Sequence, residues 1–189
     1  MKTIPTFLLA ACFIGSQAKA QQEANPMLAN AQTFIDVPYV AHTLETDGEE
    51  DLVINCDEVD CTTFVEYVLA LSLPSASGNK MSERDFAANL QRIRYREGKI
   101  DGYTSRLHYT SDWINNGVRG GFMEDVTAAN SPYTQKLSLS YMSSHPKLYK
   151  HLSNSPENVT RMAEYEKALS GQEIHWLPKD KPVSYTHLR

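Results

Sequence analysis

A cysteine can act as a nucleophile when it is free, accessible and held as thiolate, and a nearby histidine can move the proton that acyl transfer requires. One cysteine of this chain stands out for its neighbours. In Asp60-Cys61-Thr62-Thr63-Phe64-Val65-Glu66, Cys61 directly follows an aspartate and precedes an apolar run. Phe64, Val65, Val68, Leu69 and Leu71 recur at helical spacing, which predicts a buried helix from Cys61 to about Leu73, stopped by Pro74. Asp60 suits the N-cap, because its carboxylate can accept from the open amides of the first turn. Cys61 then lies in that first turn, where the helix dipole and the free amides favour thiolate over thiol. The plainer alternative is a small core residue, the usual role of a cysteine beside an apolar run.

Two further clusters bear on chemistry. Arg106-Leu107-His108-Tyr109 is polar and aromatic and sits in a glycine-flanked loop. It either lines a cleft, with Arg106 pairing a carboxylate and His108 serving as a base, or it ties down a long loop by hydrogen bonds. Cys56 ends the extended stretch Leu52-Val53-Ile54-Asn55 and reads as a small apolar residue, with a short Cys56–Cys61 disulfide as the alternative. No second cysteine or histidine cluster has zinc-like spacing, so neither a metal nor a cofactor is expected.

The elements that must position these residues are mixed helix and strand. Short helices are expected over residues 25–34 and, capped by Ser82, over 83–95, and a helical turn at 112–116. A longer helix runs from Pro156, at its first helical position, to near Gly171. Residues 36–40 are extended, since Pro38 disfavours a helical conformation at Val37. Strands are expected at 123–127 and 173–177, an irregular segment at 98–109, and no internal domain boundary.

The N-terminus reads as a secretory signal peptide over residues 1–20. It has a basic start at Lys2, an apolar stretch from Ile4 to Ile14 and Ala18-Lys19-Ala20 before the cut. The mature chain then begins at Gln21 in a periplasmic or extracellular space. The alternative is a lipoprotein anchored at Cys12, after Leu9-Ala10-Ala11. The formal charge of −5 becomes −7 once Lys2 and Lys19 are removed, a poor match to nucleic acid. No stretch after residue 20 is long and apolar enough to predict a membrane span.

Several segments together resemble one family. They are Val37-Pro38-Tyr39-Val40, Glu45, Asn55, Asp57 through Glu66, Ile93-Arg94-Tyr95-Arg96, Gly98-Lys99-Ile100, Tyr103 through Tyr109, and Asp112-Trp113-Ile114. The chain is similar to the N-acetylmuramoyl-L-alanine amidase-like branch of the NlpC-type, papain-like bacterial cell-wall hydrolases. The resemblance implies an α+β fold in which the helix bearing the cysteine packs on an antiparallel sheet. It implies a peptidoglycan fragment (a muropeptide) as substrate and the amide between muramic acid and the first alanine as the bond cut, through a thioester on Cys61. Tyr39 would then donate to the oxyanion, and Arg106, His108, Tyr109 and Asp112 would contact substrate.

That superfamily carries its histidine downstream, on a strand in a His-Val-Gly-like stretch, and this sequence has none. His145 and His151 fall in a helical region, and His175 lacks the glycine context. The domain is therefore read as residues 21–182, incomplete at its C-terminus, with 183–189, including His187, a foreign tail. The alternative function is a cell-wall-binding module or inactive fragment that keeps the fold without the chemistry.

Overall fold

The helix expected at Cys61 is set by the residues that open it. In this computed structural model, which describes residues 26–75, 78 and 80–178, α2 spans Cys61–Ser72 and follows α1 (Pro26–Gln32). The signal peptide, Cys12 and the 183–189 tail lie outside the described residues. Asp60 Oδ1 accepts from the amides of Thr62 and Thr63 at 2.9 and 2.8 Å, and Thr63 Oγ1 accepts from the Asp60 amide at 2.8 Å. This reciprocal capping satisfies donors that a helix start otherwise leaves open. Leu73 closes the far end, its amide bonded to Leu69, and Pro74 follows.

The helix α3 (Glu83–Arg94) is built the same way, with Ser82 and Asp85 as the reciprocal pair. α2 packs against α1 and α3. Between them lie Val59, Tyr67, Ala70, Leu90 and Ile93, joined by the half-buried Phe34, Phe64 and Phe86. The Tyr67 ring lies 6.1 Å from Phe34 and 6.0 Å from Phe86, centroid to centroid. Each such side chain taken fully from water contributes about 1.5–3 kcal/mol before entropy is counted. Through this core runs an ion pair: Arg94 Nε meets Glu66 Oε2 at 2.7 Å, with the side chains 1% and 3% exposed. Arg94 Nη1 also donates to the carbonyl of Val53 at 2.5 Å, so the pair ties the 52–55 segment to both helices.

After α3 the chain turns through Arg96–Gly98 and Tyr103–Ser105, two single 3₁₀ turns, into α4 (Thr110–Arg119). α5 (Thr127–Asn130), α6 (Tyr141–Ser144), α7 (Lys150–Ser153) and α8 (Pro156–Leu169) follow. Tyr103, Met142, Leu152 and Met162 form a second, smaller core beneath them. Among the described residues the sheet has two strands, β1 (Thr134–Lys136) and β2 (Glu173–His175), paired antiparallel with Gln135 opposite Ile174.

The chain is thus α+β, but the expectation that the cysteine helix packs on the antiparallel sheet is corrected: α2 packs on helices, and the described sheet lies in the C-terminal half. Two element readings also change. The turn expected at 112–116 is the ten-residue α4. Its poor helix former Asn116 is held by tertiary bonds, its Nδ2 to the Arg92 carbonyl and its Oδ1 from the Glu97 amide. The strand expected at 123–127 is a loop running into α5. Met123 instead lies over α4, where a Cβ on Gly117 would come 2.2 Å from its sulfur.

Candidate active site

Cys61 occupies the first position of α2 and is a free thiol exposed to solvent. Cys56 is likewise free and exposed, so the disulfide alternative is not formed. Burial, and then the neighbouring Asp57, push the Cys56 thiol above its ordinary range. The amides expected to favour a Cys61 thiolate are partly spent. Asp60 takes those of Thr62 and Thr63 on its own carboxylate, which leaves the Cys61 amide as the first-turn donor with no acceptor among the described residues.

Cys61 opens on a cavity of about 200 Å³ lined by Thr62, Val65, Leu107, His108, Thr110 and Trp113. Two helices build it. Val65 lies one turn beyond Cys61 on the same face of α2, and Thr110 and Trp113 lie one turn apart on α4. Leu107 and His108 come from the loop between, fixed by the Leu107 amide bonding the Arg94 carbonyl at 2.9 Å. No charged side chain lines the cavity. Its mouth is therefore shaped for an uncharged group, with a thiol and an imidazole as the reactive functions.

The expected site residues divide. His108 is brought to Cys61. Its Nε2 lies 3.1 Å from the Tyr103 carbonyl and its ring lies 4.4 Å from that of Tyr103. Burial above all, and then the Arg106 charge, push its imidazole down to about 3.

Arg106, expected to meet a substrate carboxylate, is 7% exposed and engaged within the protein. Its Nε and Nη2 donate to the two oxygens of Glu50 at 2.8 Å each, and its Nη1 donates to Glu45 at 3.0 Å. The bidentate pair binds the 45–50 loop to the site loop. Asp112 is 3% exposed, its Oδ2 2.5 Å from Arg96 Nη1, and Arg96 in turn covers the Tyr165 ring at 3.7 Å. Tyr109 donates to Glu166 at 2.5 Å, and burial followed by that bond pushes its phenol up to about 12. In this geometry Arg106, Asp112 and Tyr109 serve the scaffold, and none of them lines the cavity.

Tyr39 pairs with Val59, two residues before Cys61, in an isolated parallel bridge. Its ring is 69% exposed and lies outside the cavity lining. The other described histidines are elsewhere. His151 stacks on Tyr103 at 4.9 Å and meets the Thr46 carbonyl, His175 meets the Ser131 carbonyl, and His145 stacks on Tyr141. Among the described residues no three His, Cys, Asp or Glu side chains are placed to hold a metal, and no helix is long and apolar enough to cross a membrane.

Val65, Leu107, Thr110 and Trp113 are cavity residues that the sequence reading did not single out. The signal was present for two of them. Val65 is four residues from Cys61 on a predicted helix, and Trp113 is three from Thr110 on what proved to be one.

A free thiol and an imidazole share one uncharged cavity on an α+β scaffold. The model of the N-acetylmuramoyl-L-alanine amidase-like (AmiA-like) family matches residues 29–187, and the chain belongs to that family. Among solved structures it is 68% identical to an N-acetylmuramoyl-L-alanine amidase from Bacteroides uniformis, with a TM-score of 0.78, covering 82% of this chain and 64% of that one. It is 71% identical to a proposed xylanase from Bacteroides fragilis, with a TM-score of 0.76, covering 81% of this chain and 66% of that one. The chain thus spans slightly under two thirds of the length of these relatives. No curated protein matches it.

Proposed function

We propose that this chain carries the nucleophile half of a cysteine amidase that acts on peptidoglycan fragments at the bond between muramic acid and the first alanine. The observation that carries the reading is the free, exposed Cys61 at the start of α2, opening on an uncharged cavity shared with His108. The family and the Bacteroides uniformis relative support the bond class. In the proposed reaction the Cys61 thiolate adds to the amide carbonyl, and the Cys61 amide donates to the oxyanion. The C–N bond breaks as the leaving nitrogen takes up a proton. Water then hydrolyses the thioester, releasing the acid and restoring the thiol.

The proton donor is proposed to lie outside the described residues, on a papain-like, NlpC-type fold of which this chain holds part. Support comes from the histidines: four of the described ones do not line the cavity, and His108 is too weak a base near neutral pH. The protein is proposed to be exported, with Gln21 first in the mature chain. Intact mass of the secreted form checks this, and a lipidated species starting at Cys12 would replace it.

A glycosidase reading, suggested by the Bacteroides fragilis relative, needs two carboxyl groups roughly 5–9.5 Å apart across the scissile bond. The Cys61 cavity has no carboxylate in its lining. A second, polar cavity is lined by the carboxylates of Glu49, Glu50 and Asp101, of which Glu50 is tied to Arg106 and Asp101 to Arg161.

The test is Cys61→Ala in a form extended to the relatives' length, assayed by release of stem peptide from muropeptides. Turnover should drop by more than about 10³-fold with the circular dichroism unchanged. Turnover equal to the parent's would sink the assignment of Cys61 as the nucleophile.

A further inference from the structure

His108 has one ring nitrogen committed and one open. The Tyr103 carbonyl can only accept, so the 3.1 Å contact requires the proton to sit on Nε2. That leaves Nδ1 with a lone pair and no hydrogen. Nδ1 has no partner among the described residues, yet it is not among the partnerless polar atoms sealed from solvent, which are Thr43 Oγ1, Arg94 Nη2, Arg96 Nε, Thr104 Oγ1 and Trp113 Nε1. The space that this side chain lines is the Cys61 cavity. The ring cannot easily turn over to exchange its nitrogens. It packs tilted against Tyr103 with ring centroids 4.4 Å apart, His151 stacks on the same Tyr103 ring at 4.9 Å, and the guanidinium of Arg106 lies 5.1 Å from it. Arg106 is itself fixed by Glu45 and Glu50.

We propose that His108 is a substrate-binding acceptor, its bare Nδ1 taking a hydrogen bond from an amide N–H of an uncharged peptide segment laid over Cys61. The inference rests on the amidase reading and adds to it a residue, an atom and a role. His108 neither activates Cys61 nor protonates the leaving nitrogen. Burial and, after it, the positive charge of Arg106 support this, because both disfavour an imidazolium. The apolar walls of Val65, Leu107 and Trp113 strengthen a neutral hydrogen bond made between them.

Asparagine and glutamine separate the two nitrogens. An Asn oxygen falls near the Nδ1 position, and a Gln amide near the Nε2 position. In the Cys61→Ala background, which stops turnover, muramyl dipeptide is titrated into the chain by NMR or calorimetry. His108→Gln should keep the fold and weaken binding by about 10-fold, the effect of one lost hydrogen bond with its buried donor unpaired. His108→Asn should stay within about 3-fold of the parent. Dipeptide methylated at one amide nitrogen should lose the same factor, and comparing the two amides identifies the donor.

Nitrogen-15 NMR of the His108 ring provides a readout independent of any ligand, with the Nε2–H tautomer expected from pH 5 to 8. Binding by His108→Gln equal to the parent's, or a ring that protonates near pH 6.5, overturns the proposal. If the ring shows the tautomer but no variant binds muramyl dipeptide, the amidase reading is what has failed.

Discussion

At the scale of single residues, the thiols of Cys56 and Cys61 differ in a measurable way. Cys56 is held in its thiol form by burial and by Asp57, whereas Cys61 opens on the cavity at a helix start. Iodoacetamide at pH 7.5 should therefore label Cys61 ahead of Cys56, and the gap should narrow by pH 9.5 as Cys56 ionises. Peptide mapping reads the ratio, and equal rates at pH 7.5 would contradict the contrast.

His108 makes a second residue-scale prediction. Its folded value near 3 lies below the ordinary 6.5, so between these values the unfolded chain binds a proton that the folded chain refuses. Its contribution is fully present above about pH 6.5 and is lost as pH falls toward 3. Urea unfolding should show stability falling by about 1–3 kcal/mol more between pH 7 and 4.5 in the parent than in His108→Gln. Cys61 was legible in the sequence because its neighbours Asp60 and Phe64 betray a helix start. The committed state of Arg106, Tyr109 and Asp112 was not. Their partners Glu50, Glu166 and Arg96 lie 56, 57 and 16 residues away, and a local pattern cannot show that a charge is already engaged.

At the scale of elements, the buried Glu66–Arg94 pair crosses from α2 to α3 beside the apolar core they share. Burial raises the Glu66 carboxyl while Arg94 draws it back down, the mark of a charge retained inside only by its partner. Arg94→Met alone should cost about 3–5 kcal/mol, because it leaves a buried carboxylate unpaired. The double variant Arg94→Met with Glu66→Leu should recover most of that loss in urea midpoints, and a double variant as unstable as the single one would show that the pair has other work. α2 was legible because the Asp60 cap, its apolar stripe and Pro74 agree, α3 from its Ser82 cap, and α8 from Pro156 at its start and Gly171 at its end. α4 and the 123–127 loop were not, because their conformations depend on distant bonds. Asn116 keeps α4 helical by reaching Arg92 and Glu97, and Met123 turns aside to cover Gly117. The short β1 carries too little pattern in three exposed residues to be recognised.

For the whole molecule, the Arg106 clamp on Glu45 and Glu50 joins the N-terminal loop to the site loop, and with it the two cores. Arg106→Ala should destabilise the chain by about 3–5 kcal/mol, since two carboxylates lose their partner. In the Cys61→Ala background, muropeptide affinity at a temperature well below unfolding should change by less than about 3-fold, as calorimetry would show. A loss of affinity without a loss of stability would return Arg106 to substrate contact.

The same clamp has a consequence in time. It closes spans of 56 and 61 residues, so its ordering entropy must be met before its bonds form. For a contact that forms after the folding barrier, a substitution changes the unfolding rate and leaves the folding rate nearly untouched. Stopped-flow chevrons of Arg106→Lys should then show a steeper rise in unfolding than fall in refolding. In that case the clamp's stabilisation is felt as a latch on the lifetime of the assembled cavity, holding Cys61 and His108 together between unfolding events.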